Sequence, residues 1–327
     1  MEEKFFIGVG MKKFRIGVDV GGTNIKIALV DKEGAISYSN SIPTRAELGY
    51  EYTISAMKQA ITDLMAATKT DKNSIEGIGF GFPGQIDYKN GIVKNAPNIP
   101  GWVEVPIAEA MEKEFGIPTR VDNDVRCAAL GELNFGAGKG CENLICITVG
   151  TGIGSGLVIN GKLVRGASNA AGELGHIKLN MAGGPLCGCG DFGCLEAYAS
   201  GPSIVAMAEE YIKGGKSTKF RELAEGGEIT PYIVSQAAAQ GDGVARRIFT
   251  IMGEHIGVGL ASVVNLLNPE KIIIGGGVAD AGEVLFNPIR ETIAKRAMPI
   301  QASAVEIVPA GLGNSAGVIG ASLLISS

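Results

Sequence analysis

Two segments of this sequence share one pattern: an apolar run, a glycine-rich turn and a second apolar run. The first is FRIGVDVGGTNIKIALV at residues 14–30, and the second is LICITVGTGIGSGLVINGKLVR at 144–165. The β-rich runs predict strand–turn–strand in both places, unlike the strand–turn–helix of a Rossmann or Walker loop. We interpret the pair as a duplicated β-hairpin unit, one copy opening each of two α/β halves.

The segments around the hairpins carry apolar residues at helical spacing. Alternating strands and helices define an α/β fold class with two domains. We place the first domain at residues 1–125 plus 313–327 and the second at 126–312. The predicted helices cover 49–67, 104–116, 123–135, 242–267 and about 314–326, and a further glycine-terminated strand is predicted at 271–280.

Composition and charge exclude several classes of protein. Apolar residues make up 46% of the 327 residues and charged residues 19%, which is unlike a disordered chain. The net charge is −5 with no long basic run, so we expect no nucleic-acid partner. No apolar stretch approaches the ~20 residues of a membrane helix, and the N-terminus lacks a signal-peptide pattern. We therefore expect a cytoplasmic protein with no membrane partner.

The turn Asp19-Val-Gly-Gly-Thr23 has the composition of a phosphate-binding loop. Two glycines let backbone N–H groups approach phosphate oxygens closely, and Thr23 and Asn24 add donors. Asp19, at a strand end, is suited to hold Mg²⁺ through water. An ordinary hairpin turn with a solvated Asp19 explains the same residues equally well.

A second glycine-rich turn occupies residues 148–154. Two such turns in duplicated units could clamp a phosphate chain from both sides, which makes the pair more informative than either turn alone. The third glycine run, Gly275–Gly277, could offer a flat surface to an adenine ring. Three glycines after a buried strand are also often a simple turn.

Asp122-Asn123-Asp124 ends one predicted strand and begins a helix. A carboxylate near a helix N-terminus is favoured in its ionised form. Such a group can accept a proton from a sugar hydroxyl during phosphoryl transfer, and we predict that Asp124 is this catalytic base. Capping of the helix by Asn123 and Asp124 is the alternative, and capping is compatible with catalysis.

Three of the six cysteines, Cys187, Cys189 and Cys194, lie close together after His176. One His and three Cys fill a tetrahedral zinc site completely, which predicts a structural zinc ion. Four such residues so near one another disfavour the alternative of separate core side chains.

Two carboxylates flank this segment, Glu173 before it and Glu196 after it. Together with the Asn–Asp pair above, they suit a polyhydroxylated ligand, because each carboxylate can accept from two hydroxyls. The segment Asn98-Ile-Pro-Gly-Trp102 is either a turn with a packing aromatic or a lid beside the sugar. His255 has no visible partner in the sequence and is interpreted as structural.

Together these motifs resemble the ROK family (repressors, open reading frames, sugar kinases). The matching segments are DVGGT, APNIPGW, VDND, VGTGIGSGLVINGKLVRG, ELGH and CGCGDFGCLE, in family order over about residues 14–320. The resemblance implies an actin-like (ribonuclease H-like) ATPase fold, with two α/β domains flanking a cleft, and a homodimer or homotetramer. PNIPGW and the compact GCLE loop are most similar to bacterial glucokinases, which implies phosphoryl transfer from ATP to glucose.

The resemblance also implies roles for individual residues. Asp124 would deprotonate the 6-hydroxyl of a hexose, and His176 would serve zinc and sugar with one ring nitrogen each. The predicted sugar ligands are Asn98, Asn123, Asp124, Glu173, His176 and Glu196. The residues predicted to bind ATP and Mg²⁺ are Asp19, Gly21, Gly22, Thr23, Asn24, Lys26, Thr151, Gly152 and Gly276, and those predicted to bind Zn²⁺ are His176, Cys187, Cys189 and Cys194.

Other members of the family offer alternative functions. A kinase for fructose, mannose, N-acetylmannosamine or allose, or a polyphosphate-using glucokinase, would carry similar motifs. Val125-Arg126-Cys127 departs from the Ala-Asn-Ala expected after the catalytic Asp, which bears on substrate choice and not on the chemistry. A sugar-responsive repressor is disfavoured because Asp19 leaves no room for a preceding helix-turn-helix domain and the chain is acidic.

Overall fold

The computed structural model describes residues 13–97 and 99–326. The chain divides into two compact units, one comprising Met1–Gly131 with Ser315–Ser327 and the other Glu132–Asn314. We propose that these units are the two domains that the sequence predicts. Each unit contains a five-stranded sheet with helices packed on it, and a separate three-stranded sheet is also present.

The first part of the chain begins with a three-stranded meander and then alternates helices and strands. Its elements are β1 (Phe14–Val20), β2 (Asn24–Asp31), β3 (Ile36–Pro43), α1 (Tyr50–Thr68), β4 (Ile75–Phe82), β5 (Gln85–Asp87), β6 (Ile92–Asn95), β7 (Val103–Val105), α2 (Ile107–Phe115), β8 (Thr119–Asn123) and α3 (Asp124–Phe135).

The second part repeats the opening hairpin and adds a larger set of helices. Its elements are β9 (Leu144–Val149), β10 (Ile153–Ile159), β11 (Lys162–Leu163), α4 (Leu195–Ala199), α5 (Gly201–Lys213), α6 (Phe220–Leu223), α7 (Pro231–Ala239), α8 (Gly243–Leu267), β12 (Lys271–Gly275), α9 (Glu283–Arg296), α10 (Pro299–Ala304) and β13 (Glu306–Pro309). The final helix, α11 (Ala316–Leu323), belongs to the first unit.

The two large sheets have the same topology. The first has the order β3-β2-β1-β4-β8, in which β1 to β3 are antiparallel and β4 and β8 run parallel to β1. The second has the order β11-β10-β9-β12-β13 with the same directions. The duplication predicted from the two glycine hairpins is therefore confirmed.

The predicted helices are present, with changes at their ends. The helix expected at 104–116 begins only at Ile107, because Val103–Val105 is a strand paired with β6. It ends before Gly116, whose left-handed φ of 65° is typical of a helix C-terminus. Helices α4 to α7, α9 and α10 were not predicted from the sequence.

Helix α8 corrects one expectation from the sequence. Over 25 residues it is long and apolar enough, by length and composition, to cross a membrane, so the statement that no stretch approaches this length was wrong. The physical reason for its composition is burial in the second unit, where Phe249, Met252 and Ile256 are 0% exposed in the hydrophobic core. The core helix of a globular protein passes the same test of length and hydropathy.

Helix α11 packs against the first sheet at unusually short range. A Cβ atom at Gly17 on β1 would collide with the carbonyl group of Val318, and one at Gly79 on β4 would collide with that of Ala321. Only glycine permits this approach of helix backbone to strand backbone. The first unit therefore depends on a helix that follows the whole of the second unit in the chain.

Candidate active site

Carboxylates gather at the ends of parallel strands in the first unit. In the sheet register, Asp19 on β1 pairs with Gly81 on β4, and Gly81 pairs with Asp122 on β8. Asp124 follows at the start of α3, and a Cβ atom built on Gly81 would lie only 3.3 Å from its Cα. The carboxyl ends of parallel strands are where ligands bind in open α/β sheets.

Asn123 caps α3, and Asp124 shares in the cap. The Asn123 Oδ1 accepts hydrogen bonds from the N–H of Val125 (3.0 Å) and of Arg126 (3.2 Å), and its Nδ2 donates to the carbonyl of Gly84 (3.3 Å). The Asp124 Oδ1 accepts from the N–H of Val125 at 2.9 Å. Capping engages Asp124 through Oδ1, which is compatible with a second role for Oδ2.

The expectation that the helix N-terminus favours the ionised form of Asp124 was wrong in direction, because burial outweighs it and raises the pKa of Asp124 to about 7. Burial is the main cause and the negative charge of Asp19 adds to it, while the N–H of Val125 and the charge of Arg126 oppose them. Burial also raises the pKa of Asp19. The positive charge of Lys26, its partner across the β1–β2 pair, partly opposes this rise. A carboxyl group with a pKa near 7 is suited to accept a proton at neutral pH.

Arg126 stands where the family pattern has Asn, and it has a structural partner. Its Nε lies 3.2 Å from Oδ1 of Asp122, whose side chain is 0% exposed. The same oxygen accepts the N–H of Asn123 at 2.8 Å. Since an unpaired buried carboxylate is strongly unfavourable, Arg126 compensates the burial of Asp122.

The first glycine turn is held by Thr44, a buried residue that the sequence analysis missed. Its hydroxyl donates to the carbonyl of Gly21 (2.7 Å), and its N–H donates to that of Thr23 (2.9 Å). The turn is closed by a 2.9 Å hydrogen bond from the N–H of Gly21 to the carbonyl of Asn24. Gly22, Thr23 and Asn24 are exposed at its tip.

The second glycine turn is held differently. The N–H of Gly150 donates to the carbonyl of Gly152 (2.9 Å), and the N–H of Gly201 donates to the carbonyl of Gly150 (2.7 Å). The N–H of Ile153 donates to Oε2 of Glu196 at 2.8 Å. A carboxylate that the sequence analysis assigned to sugar binding therefore also contacts the backbone of this turn.

The third glycine run lies against the end of β9, next to the second turn. Gly276 has a left-handed φ of 87°, and a Cβ atom there would collide with the backbone of Val149. The N–H of Val278 donates to the carbonyl of Val149 at 3.1 Å. Thr151, at the tip of the second turn, is exposed.

His176, Cys187, Cys189 and Cys194 converge, with one ligand atom from each lying within 4.8 Å of the others. The Sγ atoms of Cys189 and Cys194 are 3.7 Å apart, and Cys187 Sγ is 3.6 Å from His176 Nδ1. Tetrahedral zinc, with bonds of about 2.3 Å to sulfur and 2.0 Å to nitrogen, requires separations of about 3.8 and 3.5 Å. The four residues therefore fit a zinc ion.

Lys178 places positive charge beside the cysteine cluster. Its Nζ donates to Sγ of Cys194 at 3.0 Å and lies 2.7 Å from Oδ2 of Asp191. Three thiolates would outweigh the charge of one bound zinc ion, and an ammonium group here would offset the excess negative charge. Lys178 has no distinguishing motif in the sequence and was not predicted.

Glu173 and His176 lie on the loop that leads into the cluster. The Ser155 hydroxyl on β10 donates to the carbonyl of Gly172 (2.6 Å), which ties this loop to the second sheet. Glu173 is exposed, and its carbonyl accepts the N–H of His176 at 3.1 Å. Because His176 Nδ1 faces Cys187, its Nε2 lies on the other edge of the ring.

The predicted site residues thus form two groups. Asp19, the first glycine turn, Asn123 and Asp124 belong to the first unit, and the second turn, the cysteine cluster and Glu196 belong to the second. Asn98 lies outside the described residues. Nearby Trp102 is 1% exposed, with its ring centroid 4.7 Å from that of Phe82, so it is a packing aromatic and not a lid.

Two α/β units with equivalent sheets, each opened by a glycine hairpin, define the class of actin-like ATPase folds. The match to the ROK family model covers residues 15–327, and this chain belongs to the ROK family. The family and fold predicted from the sequence are therefore confirmed.

The chain is similar to several known members of the family. A glucokinase from Halalkalibacterium halodurans is 38% identical over 314 residues, which are 96% of this chain and 95% of that protein. A crystal structure of a ROK family glucokinase from Streptomyces griseus, in complex with glucose and AMPPNP, matches this chain with a TM-score of 0.83 and 37% sequence identity. The match covers 95% of this chain and 98% of that one. A ROK family transcriptional regulator, a homolog of the Escherichia coli MLC protein, is 28% identical with a TM-score of 0.86, and covers 96% of this chain and 78% of that one.

Proposed function

We propose that this protein is an ATP-dependent glucokinase, which transfers the γ-phosphoryl group of ATP to the 6-hydroxyl of glucose. The observation that carries the proposal is Asp124, a carboxyl at the carboxyl ends of parallel strands with a pKa raised to about 7. Similarity to glucokinases over nearly the whole chain supports the choice of reaction and substrate.

In this proposal Asp124 acts as the general base. Oδ1 is fixed by the N–H of Val125, so the carboxyl group is oriented before substrate binds. Oδ2 accepts the proton of the 6-hydroxyl as the oxygen attacks the γ-phosphorus and the bond to the ADP oxygen breaks. Phosphoryl transfer requires little covalent chemistry from the protein, so orientation and charge neutralisation supply most of the acceleration.

The remaining predicted residues divide between sugar and nucleotide. Asn123, Glu173, Glu196 and His176 Nε2 would bind sugar hydroxyls, and Asn98 remains a predicted sugar ligand. Backbone N–H groups at the two glycine turns would bind phosphate oxygens. The residues proposed for ATP are Gly21, Gly22, Thr23, Asn24, Lys26, Thr151, Gly152 and Gly276.

Two metal ions belong to the proposal. Asp19 would hold Mg²⁺, which neutralises phosphate charge when it accompanies ATP. The cysteine cluster would hold one zinc ion whose four protein ligands leave no open position, so its role is to fix the loop between Glu173 and Glu196. We further propose a cytoplasmic location and a homodimer or homotetramer, as for the family.

A coupled assay of ADP release tests the function. We expect turnover with glucose and Mg·ATP, and slower turnover with fructose, mannose, N-acetylmannosamine and allose in the same panel. In a parallel series of assays, polyphosphate is supplied in place of ATP. Absence of sugar-dependent ADP release with glucose would refute the proposal, and faster turnover with another hexose would correct the substrate while retaining the chemistry.

A further inference from the structure

Glu196 contacts one end of the second glycine turn. Its Oε2 accepts a 2.8 Å hydrogen bond from the N–H of Ile153, the first residue of β10. The same oxygen lies so close to Gly152 that a Cβ atom added there would collide with it. At Gly150, in the same turn, an added Cβ atom would meet nothing within 4 Å. The contact is therefore specific to one of two neighbouring glycines.

The position of Glu196 is itself set by the cysteine cluster. Glu196 lies in the first turn of α4, two residues after Cys194, which is the N-cap residue of that helix. Its second oxygen, Oε1, lies 3.8 Å from Sγ of Cys187. The carboxylate thus stands between the metal-binding loop and the glycine turn, and both of its oxygens have neighbours in the second unit.

We propose that Glu196 is a positioning residue for the nucleotide-binding turn as well as a sugar ligand, so that sugar and nucleotide raise each other's affinity through this one carboxylate. The inference rests on the proposed function, in which Glu196 binds sugar hydroxyls and Thr151 and Gly152 approach the phosphates of ATP.

The coupling between the sugar site and the second glycine turn passes through one side chain, that of Glu196. An ionised carboxylate has about four acceptor positions, and Ile153 occupies one of them, which leaves capacity for sugar hydroxyls. Hydroxyls bound to Glu196 restrict the rotation of its side chain, and so they restrict the turn to which it is hydrogen-bonded. A turn that is already ordered loses less conformational entropy when phosphate binds. Linkage requires that the nucleotide raise sugar affinity by the same factor.

The first test compares Gly152→Ala with Gly150→Ala, which add one methyl group at either end of the same turn. Glucose binding is measured by isothermal titration calorimetry without nucleotide, so that loss of phosphate contacts does not contribute. We expect Gly152→Ala to weaken glucose binding by about fivefold or more, because the methyl group displaces Glu196, and Gly150→Ala to stay within about twofold of wild type. Equal affinities in the two variants would overturn the inference.

The second test measures Mg·AMPPNP binding without sugar in Glu196→Ala and Glu196→Gln. Glutamine can still accept the N–H of Ile153 through its carbonyl oxygen, whereas alanine cannot. We expect alanine to weaken AMPPNP binding by roughly tenfold and glutamine to restore most of the affinity. Equal nucleotide affinities in both variants would contradict the positioning role.

Failure of this inference is distinguishable from failure of the proposed function. Wild-type protein that binds no glucose would refute the function. If the wild-type protein binds glucose, but the two variants within each pair have equal affinities, the inference is refuted and the proposed function stands. Thermal melting of each variant identifies any that fails to fold, and the other pair then decides.

Discussion

The two glycine turns occupy equivalent positions in equivalent sheets, yet they are supported by different chemistry. The first is held by a neutral hydroxyl, that of Thr44, on the carbonyl of Gly21. The second is held by the carboxylate of Glu196 on the N–H of Ile153. Duplication has preserved the hairpin and the sheet order while the groups that support each turn have diverged.

The difference separates two uses of a carboxyl group. Beside the first turn, Asp19 and Asp124 are close enough for one to raise the pKa of the other, which suits proton transfer. Beside the second turn, Glu196 accepts a backbone N–H and lies near the cysteine cluster, which suits recognition and positioning. The first unit therefore carries the proposed base, and the second carries the proposed zinc-braced loop.

The largest expected effect is that of Asp124→Asn. The amide cannot accept the proton of the 6-hydroxyl, so kcat should fall roughly 10²–10⁴-fold in the ADP-release assay. Asparagine keeps the shape and the hydrogen bond to Val125 but loses one acceptor for the sugar, so calorimetry should show a loss of glucose affinity much smaller than the fall in kcat. A kcat near that of wild type would remove the catalytic assignment.

The same variant also has a pH signature. With a folded-state pKa of about 7, wild-type kcat/KM should fall about tenfold per pH unit below neutrality. A raised carboxyl pKa destabilises the fold as pH rises from about 4 to 7, because the folded state binds that proton more tightly than the unfolded state. Asp124→Asn should therefore exceed wild type in stability at pH 8, by roughly 1–3 kcal/mol, and approach it near pH 4.

The next effect in size concerns the cysteine cluster. Elemental analysis should find about one zinc per chain in wild type and little in Cys194→Ser. The free energy of unfolding should fall by about 3 kcal/mol or more in the variant, since metal binding contributes to folding. Cys141→Ser, at a half-exposed cysteine outside the cluster, is the matched control and should keep its zinc. Carefully purified wild-type protein without zinc would contradict the assignment.

The smallest effect should come from Thr44→Val, which removes the hydroxyl that supports the first turn and keeps the shape of the side chain. Loss of one hydrogen bond of about 1 kcal/mol should raise KM for ATP by roughly threefold to tenfold, with little change in KM for glucose. Thr62→Val, on the exposed face of α1, is the control. An unchanged KM for ATP would show that the first turn does not depend on Thr44.

Much of the fold was predictable because its signals are local. Glycine between two β-rich runs identified both hairpins, and Asn123 before an apolar periodic segment identified the start of α3. The four proposed zinc ligands were recognisable because three of them fall within eight residues, and their side chains do converge. Motif order was sufficient to identify the family.

The supports of the site were not predictable, because they depend on contacts between distant parts of the chain. Thr44 holds a turn 23 residues away, and the bond between Ile153 and Glu196 spans 43 residues. Glu132 is a stronger example: it is 0% exposed, and its carboxylate accepts the N–H groups of Gly311 and Leu312, 179 and 180 residues later. A threonine or glutamate of this kind has no distinguishing neighbours in the sequence.

The close packing of α11 on β1 and β4 has a consequence for synthesis on the ribosome. The first unit lacks this helix until Glu132–Asn314 have been translated, which takes roughly 10–40 s at bacterial and eukaryotic elongation rates. During that interval the surface of β1 and β4 that carries Gly17 and Gly79 has no covering helix. The part of the chain made first is thus the last to be finished.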